Sequence, residues 1–220
     1  MTELRFHEHT LHLMPEGAAW DAAQRVLFVT ELHLGKAAVF REAGLTLPDG
    51  ADAAILQRLS VLAGRLGACT LAVLGDVFHA RSPGTERTVA ALNTWRQTHA
   101  GLRWIIVPGN HDRRVPWAQW LPDAEILSEG ELCGPWQLAH HPPEQSDAVM
   151  LCGHLHPGIA FGPPRQRKAR LPCFWLRRGV LILPAFGGFT GLRLIEREPG
   201  DRVWVTVQDR VAEVPHTRRA

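Results

Sequence analysis

Three short apolar runs end in the same way, and that repetition constrains the fold more than any other feature of the chain. Arg25 to Thr30, Leu71 to Leu74 and Trp104 to Val107 are dense in Val, Ile, Leu, Phe and Trp. They are too short for buried helices and read as strands covered on both faces. Each stops on residues that carry lone pairs: Glu31-Leu32-His33, Gly75-Asp76-Val77-Phe78-His79 and Gly109-Asn110-His111-Asp112. Between the first two runs, residues 52 to 66 place Ile55, Leu56, Leu59, Leu62, Ala63 and Leu66 at helical spacing after a Pro48-Asp49-Gly50 turn. Between the second and third, residues 85 to 98 set Val89, Leu92 and Trp95 on one face. This β-α-β-α-β order predicts a parallel sheet with every polar cluster at its carboxyl edge, where open α/β sheets hold ligands.

Ahead of this unit, residues 4 to 13 read as a strand before a Pro15-Glu16-Gly17 turn. Beyond residue 123 the texture changes to short strands separated by Gly and Pro, near 124 to 127, 136 to 139, 148 to 152, 173 to 176, 180 to 183, 192 to 197 and 203 to 207. The 220 residues suit one domain, 1–220, of α/β class with mixed sheets. No stretch approaches the roughly 20 apolar residues of a membrane helix, and Met1 to Phe6 lacks a signal-peptide pattern. A cytoplasmic protein is expected. Cys69, Cys133, Cys152 and Cys173 lack C-x-x-C spacing and are expected to be buried free thiols. A formal net charge of +2 is too mild to identify a polyanionic partner by itself.

Two further clusters, His140-His141 and Gly153-His154-Leu155-His156, complete a set of five, again in or after β-like segments. Imidazole, carboxylate and amide oxygen delivered from several strand ends are the donors a pair of divalent cations needs, and such pairs are suited to breaking phosphoester bonds. Alternation in an extended backbone aims His154 and His156 to one side, so one short stretch can serve both cations. Asp76 is the choice for a shared ligand, because it follows a buried strand and a Gly that permits close approach.

In order and number these clusters resemble the calcineurin-like metallophosphoesterase superfamily, whose motifs run D-x-H, G-D, G-N-H-D/E, H and G-H-x-H. A narrower resemblance rests on Leu32-His33-Leu34-Gly35-Lys36 with Phe40-Arg41, on Leu74-Gly75-Asp76 with Phe78-His79-Ala80, and on Leu183-Pro184-Ala185-Phe186-Gly187 with Phe189-Thr190-Gly191. These look like the bacterial ligase-associated DNA damage response endonucleases (the PdeM type). The resemblance implies a four-layer α-β-β-α sandwich and two divalent metal ions, Mn first, with Fe or Zn as alternatives. It implies that Glu31, His33 and His156 complete one metal position around Asp76, and that Asn110, His140 and His154 complete the other. His140 fits the pattern, with His141 as the alternative ligand. His111 is implied to be catalytic without binding metal, Asp112 to orient it, and His79 to face the substrate.

The resemblance also implies an endonuclease or phosphodiesterase acting on single-stranded or flapped DNA in repair, associated with repair ligase or helicase proteins. The alternatives are a small-molecule phosphoesterase, such as a nucleotide or lipid-precursor diphosphatase, and a non-catalytic interaction module. Relatives that cleave the lipid precursor carry Arg where His111 stands, and non-catalytic members lose several ligands. Here only Glu31 departs from the pattern, which has Asp. The longer chain predicts a site that is assembled yet attenuated.

DNA contacts are expected from Arg113 and Arg114, from Lys36 and Arg41 on the rim, and from a run that begins seven residues after His156. That run contains Arg165, Arg167, Lys168 and Arg170, followed by Arg177-Arg178, without an acid between 163 and 178. Phe174 and Trp175 offer stacking surfaces, although an alternating strand buries one of them. Trp104, Trp117, Trp120 and Trp136 are read as core or lid. His7, His9, His12, His99 and His216 are read as structural or exposed, Gly187-Gly188 as a turn, and Asp112 has a plain turn role as its competitor.

Overall fold

The computed structural model describes residues 1–45, 50–79, 85–162, 169–188 and 190–215. The three apolar runs become neighbouring central strands of one sheet. That sheet contains, in spatial order, β1 (Thr2–Phe6), β2 (His9–Leu13), β3 (Ala19–Asp21), β4 (Val26–Val29), β5 (Thr70–Leu74), β6 (Arg103–Val107) and β7 (Ala124–Ile126). Strands β1 to β4 pair antiparallel and β4 to β7 parallel. Helices α1 (Lys36–Glu42) and α2 (Ala51–Leu66) connect β4 to β5, α3 (Thr85–Thr98) connects β5 to β6, and α4 (Trp117–Trp120) precedes β7.

The second sheet uses β8 (Leu132–Cys133), β9 (Trp136–Leu138), β10 (Met150–Cys152), β11 (Pro157–Phe161), β12 (Ala169–Arg177), β13 (Val180–Ile182), β14 (Arg193–Leu194), β15 (Arg202–Val207) and β16 (Arg210–Glu213). Its order is β14-β11-β12-β13-β10-β9-β8, with β15 paired to β12 and β16. β9, β10 and β13 run parallel to one another, so this sheet is mixed too.

Continuous apolar runs are needed because both faces of the first sheet are covered. Leu27, Val29, Leu71, Val73 and Ile106 pack under Leu59, Leu62, Leu92 and Trp95 of α2 and α3. Their strand neighbours Phe28, Leu74, Ile105 and Val107 face Trp136, Leu138, Phe174, Leu181 and Trp204 between the sheets. Each fully buried large side chain there contributes about 1.5–3 kcal/mol. On the far face of the second sheet, Cys152, Cys173, Trp175, Ile182 and Val203 are closed over by Leu155, Ile159 and Ile195. Among the described residues no helix follows Trp120.

The α/β class and the two packed mixed sheets agree with the sequence reading, while several local expectations change. The strand expected over 4 to 13 is broken at His7, whose φ of +52° turns the chain into a β1–β2 hairpin. Cys69 is exposed, unlike the three buried thiols. Phe174 and Trp175 point to opposite faces and are both buried, so neither offers a stacking surface. No helix of the described residues is long and apolar enough to cross a membrane.

Candidate metal centre

The polar clusters lie at the carboxyl ends of β4, β5, β6, β9 and β10, so both sheets supply donors to one cleft. Backbone pairing between the loops continues past the strands and fixes their relative height. Glu31 N–H donates to Gly75 O (3.1 Å), His33 N–H to Asp76 O (2.9 Å) and Leu34 N–H to Val77 O (2.9 Å). Glu31, His33, Asp76, His154 and His156 all take positive φ, from 46° to 68°. Left-handed backbone in non-Gly residues costs on the order of 1–3 kcal/mol each and persists where surrounding contacts over-determine it. The absent side chain of Gly75 makes room for the His140 ring, with which any Cβ there would collide.

Glu31 is 1% exposed and lies at the centre of the cleft. Its Oε1 accepts the His154 backbone N–H at 2.7 Å and lies 3.3 Å from His140 Nδ1. Its Oε2 is 2.9 Å from His156 Nε2 and 3.0 Å from His33 Nε2. Asp76 Oδ1 accepts the His111 backbone N–H at 2.9 Å and lies 4.0 Å from His140 Nε2, while Oδ2 is 3.9 Å from His33 Nε2. Asp76 thus stands between the two imidazole groups. Asn110 Oδ1 is 2.9 Å from His140 Nε2, which is in turn 3.0 Å from His154 Nδ1. Ligand-capable atoms of Glu31, His33 and His156 fall within 4.8 Å of one another, as do those of Glu31, Asp76 and His140, and those of His140, His141 and His154.

The protonation states suit cations. Burial alone would raise the Glu31 carboxyl, but hydrogen bonding to His156 and His33 holds it well below the usual carboxylate range. Burial, reinforced by the neighbouring Glu31 charge, pushes Asp76 up to about 8. Burial likewise brings His140 and His79 down to about 4 and lowers His33 and His154, so these imidazoles are neutral with lone pairs available near pH 7. The ionised Glu31, the Asp76 carboxyl, whose proton a cation can displace, and neutral imidazoles form a donor set that fits divalent cations.

At the mouth, His111 is exposed and its ring stacks on His79 at 5.0 Å, with an interplanar angle of 26°. His79 is half-buried, touches His33 and Phe40 edge-on, and has an Nδ1 without a hydrogen-bond partner among the described residues. Lys36, whose pKa burial lowers, feels both Glu31 and Asp76. Arg113 and Arg114 are exposed beside the third cluster. Arg170 is exposed on β12 opposite Ala160, and Arg165, Arg167 and Lys168 lie outside the described residues.

Asp112 is buried between the second and third loops. Its oxygens accept the backbone N–H groups of Val77 (3.1 Å), Phe78 (3.2 Å) and Gly109 (3.0 Å), which makes it a staple between the second and third loops. Burial pushes its carboxyl up to about 6 against these three donors. Gly187 is also more than a turn. Phe186 N–H donates to Thr30 O and Gly187 N–H to Glu31 O, both at 2.9 Å, so this strap runs directly against the first cluster. Arg58 ties the strap down by donating to Phe186 O at 3.1 Å. Asp52 accepts Gly35 N–H at 3.0 Å and Thr88 Oγ1–H at 3.2 Å, bracing the start of α1. The sequence pattern points to neither Arg58 nor Asp52, because both act through contacts remote in the chain.

No protein-family profile matches the chain, and no curated protein matches it either. Among solved structures, the Pseudomonas putida nuclease MPE aligns with a TM-score of 0.82 and 31% identity, covering 97% of this chain and 99% of that one. Yfce, a phosphoesterase from E. coli, aligns over 86% of this chain and 97% of its own with a TM-score of 0.42 and 17% identity. Likeness to the P. putida nuclease at this identity over nearly all of both chains, joined to the five clusters at their strand ends, makes this chain a member of that nuclease's family within the calcineurin-like metallophosphoesterases.

Proposed function

We propose that the protein is a phosphodiesterase that cuts DNA internally, using two divalent cations, with manganese the first choice and iron or zinc the alternatives. One observation carries the reading: seven donors, Glu31, His33, Asp76, Asn110, His140, His154 and His156, converge in one cleft from both sheets. Glu31, His33 and His156 with Asp76 would hold one cation, and Asp76, Asn110, His140 and His154 the other. What the pair supplies when bound is Lewis acidity at the phosphoryl oxygens and acidification of water.

The chain's own groups do the rest. His111, on the mouth of the cleft, hydrogen-bonds a phosphoryl oxygen and delivers a proton from its ring to the departing alkoxide. His79 lies against it face to face, limiting its rotation and shielding one side from water. Lys36, Arg113 and Arg114 neutralise flanking phosphates. Single-stranded or flapped DNA is the substrate class, and repair in the cytoplasm beside a ligase or helicase is the setting. The relative's description as a nuclease and the His79-His111 pair both favour a nucleic-acid strand over a small ester.

The test is a metal-titrated assay of covalently closed circular single-stranded DNA beside a chromogenic bis-ester and mono-ester. Linear DNA products are expected. Turnover of the mono-ester alone would replace this reading with a small-molecule phosphoesterase.

A further inference from the structure

In the sequence pattern His141 is at most an alternative to His140, yet the structure gives the two adjacent histidines separate tasks. His140 is fully buried, with its ring among Glu31, Asn110 and Asp76. His141 stands at the rim, its Nδ1 2.7 Å from Glu129 Oε1, and the same oxygen accepts the His141 backbone N–H at 3.3 Å. A carboxylate can only accept, so the proton of this hydrogen bond sits on Nδ1, and Nε2 is the ring nitrogen left to face a cation. Its ring centroid is 4.5 Å from that of His154 and 4.6 Å from that of His140.

We infer that His141 is a third imidazole ligand of the second cation position, held in its ligating tautomer by Glu129, and that it biases this position toward zinc over manganese. Three observations converge on it. A ligand-capable nitrogen from each of His140, His141 and His154 falls within 4.8 Å of the others. His140 Nε2 and His154 Nδ1 lie 3.0 Å apart, so lone pairs from two rings converge where a cation can accept both. The Glu129-His141 pair has the arrangement by which carboxylates fix the tautomer and raise the basicity of metal-bound imidazole.

Imidazole-rich positions favour zinc, because affinity for nitrogen donors rises steeply from manganese toward the end of the divalent series. The position around Glu31, His33, His156 and Asp76 is richer in carboxylate, so the two positions differ in selectivity. This rests on the two-cation reading above.

The experiment measures zinc and manganese affinities by competition with a chromophoric chelator, for the wild-type chain, His141→Ala and Glu129→Gln, alongside the visible spectrum of each with cobalt. For His141→Ala, zinc affinity at one of two positions should fall about 10–100-fold, a scale taken from metal-shell substitutions, while manganese affinity falls less. The cobalt bands should shift with it. Glu129→Gln should move zinc in the same direction by a smaller factor, since its amide oxygen still accepts from Nδ1. If the wild-type chain binds two ions and His141→Ala keeps both the zinc-to-manganese preference and the cobalt spectrum, the inference is overturned and the two-cation reading stands. A wild-type chain that binds fewer than two ions removes both.

Discussion

Glu31 reaches both candidate cation positions because its side chain is one methylene longer than the Asp of the family pattern. Its carboxylate touches His33 and His156 on one side and lies 3.3 Å from His140 on the other. Shortening it withdraws the charge toward the first position and places a residue more tolerant of left-handed backbone at φ +55°. Glu31→Asp should therefore bind metal more tightly at the first position and raise manganese-dependent turnover by about 10 to 100-fold, a scale borrowed from metal-shell changes. Kinetics at saturating metal check this, and an equal or slower variant would mean the cleft is fitted to Glu. His111→Ala should behave differently. Metal content stays, whereas turnover drops by about two to four orders of magnitude, the range for a lost proton donor; loss of metal on analysis would put His111 among the ligands. The Asp76 carboxyl, raised to about 8, stays protonated at pH 7 in the metal-free protein, while the buried His140 is already neutral. A cation must displace that proton, so uptake releases it and affinity rises with pH until about 8, where the gain ends. Calorimetry in two buffers of unlike ionisation enthalpy reads the release directly, and equal affinity at pH 6 and 8 would contradict it. These donors were legible because His, carboxylate and amide residues stood directly after apolar runs. Neither the backbone staple at Asp112 nor the Glu129-His141 contact was legible, since each depends on which residues distant in sequence become neighbours.

Among elements, the strap at Phe186-Gly187 holds the first cluster at its height. A Cβ on Gly187 would fall 2.6 Å from Glu31 O. Gly187→Ala must push that backbone away, and overpacking of this kind costs about 1–3 kcal/mol. A lower thermal midpoint is expected together with weaker metal binding at the first position. An unchanged midpoint with unchanged metal affinity would show that the strap yields without consequence. The central elements were legible in the sequence for a physical reason: β4, β5 and β6 are covered on both faces, and α2 and α3 present clear apolar stripes. β3, β8 and α4 span only two to four residues, too few for a period to register. α1 hides for another reason. Only Ala37 of its seven residues is buried, so it presents no stripe and relies on the Asp52 brace at its start.

At the scale of the whole molecule, exposed Arg113 and Arg114 lie beside the third cluster and exposed Arg170 lies on β12. The basic run of the sequence spans Arg165 to Arg170; Arg170 lies on β12, paired with the β11 strand that begins directly after His156, and Arg165, Arg167 and Lys168 lie outside the described residues. If it tracks a DNA strand, neutralising Arg165, Arg167, Lys168 and Arg170 should weaken binding and flatten its salt dependence, by about 0.7 in log–log slope for each phosphate that is no longer neutralised. Turnover of the small chromogenic ester should stay constant, and equal losses on both substrates would assign the run to the fold. The centre itself joins residues far apart in the chain, since Glu31 and His156 are separated by 125 positions. Contacts of such long range form late in folding, after their loop-closure entropy has been met. During synthesis at about 5–20 residues per second, the β4-to-β6 unit emerges first with three of the five clusters. A chain ended after β6 lacks His140, His154 and His156, so neither candidate cation position is complete in it. Both positions are completed only when the second sheet docks on the first, so any chemistry of this centre waits on the last-made half of the chain.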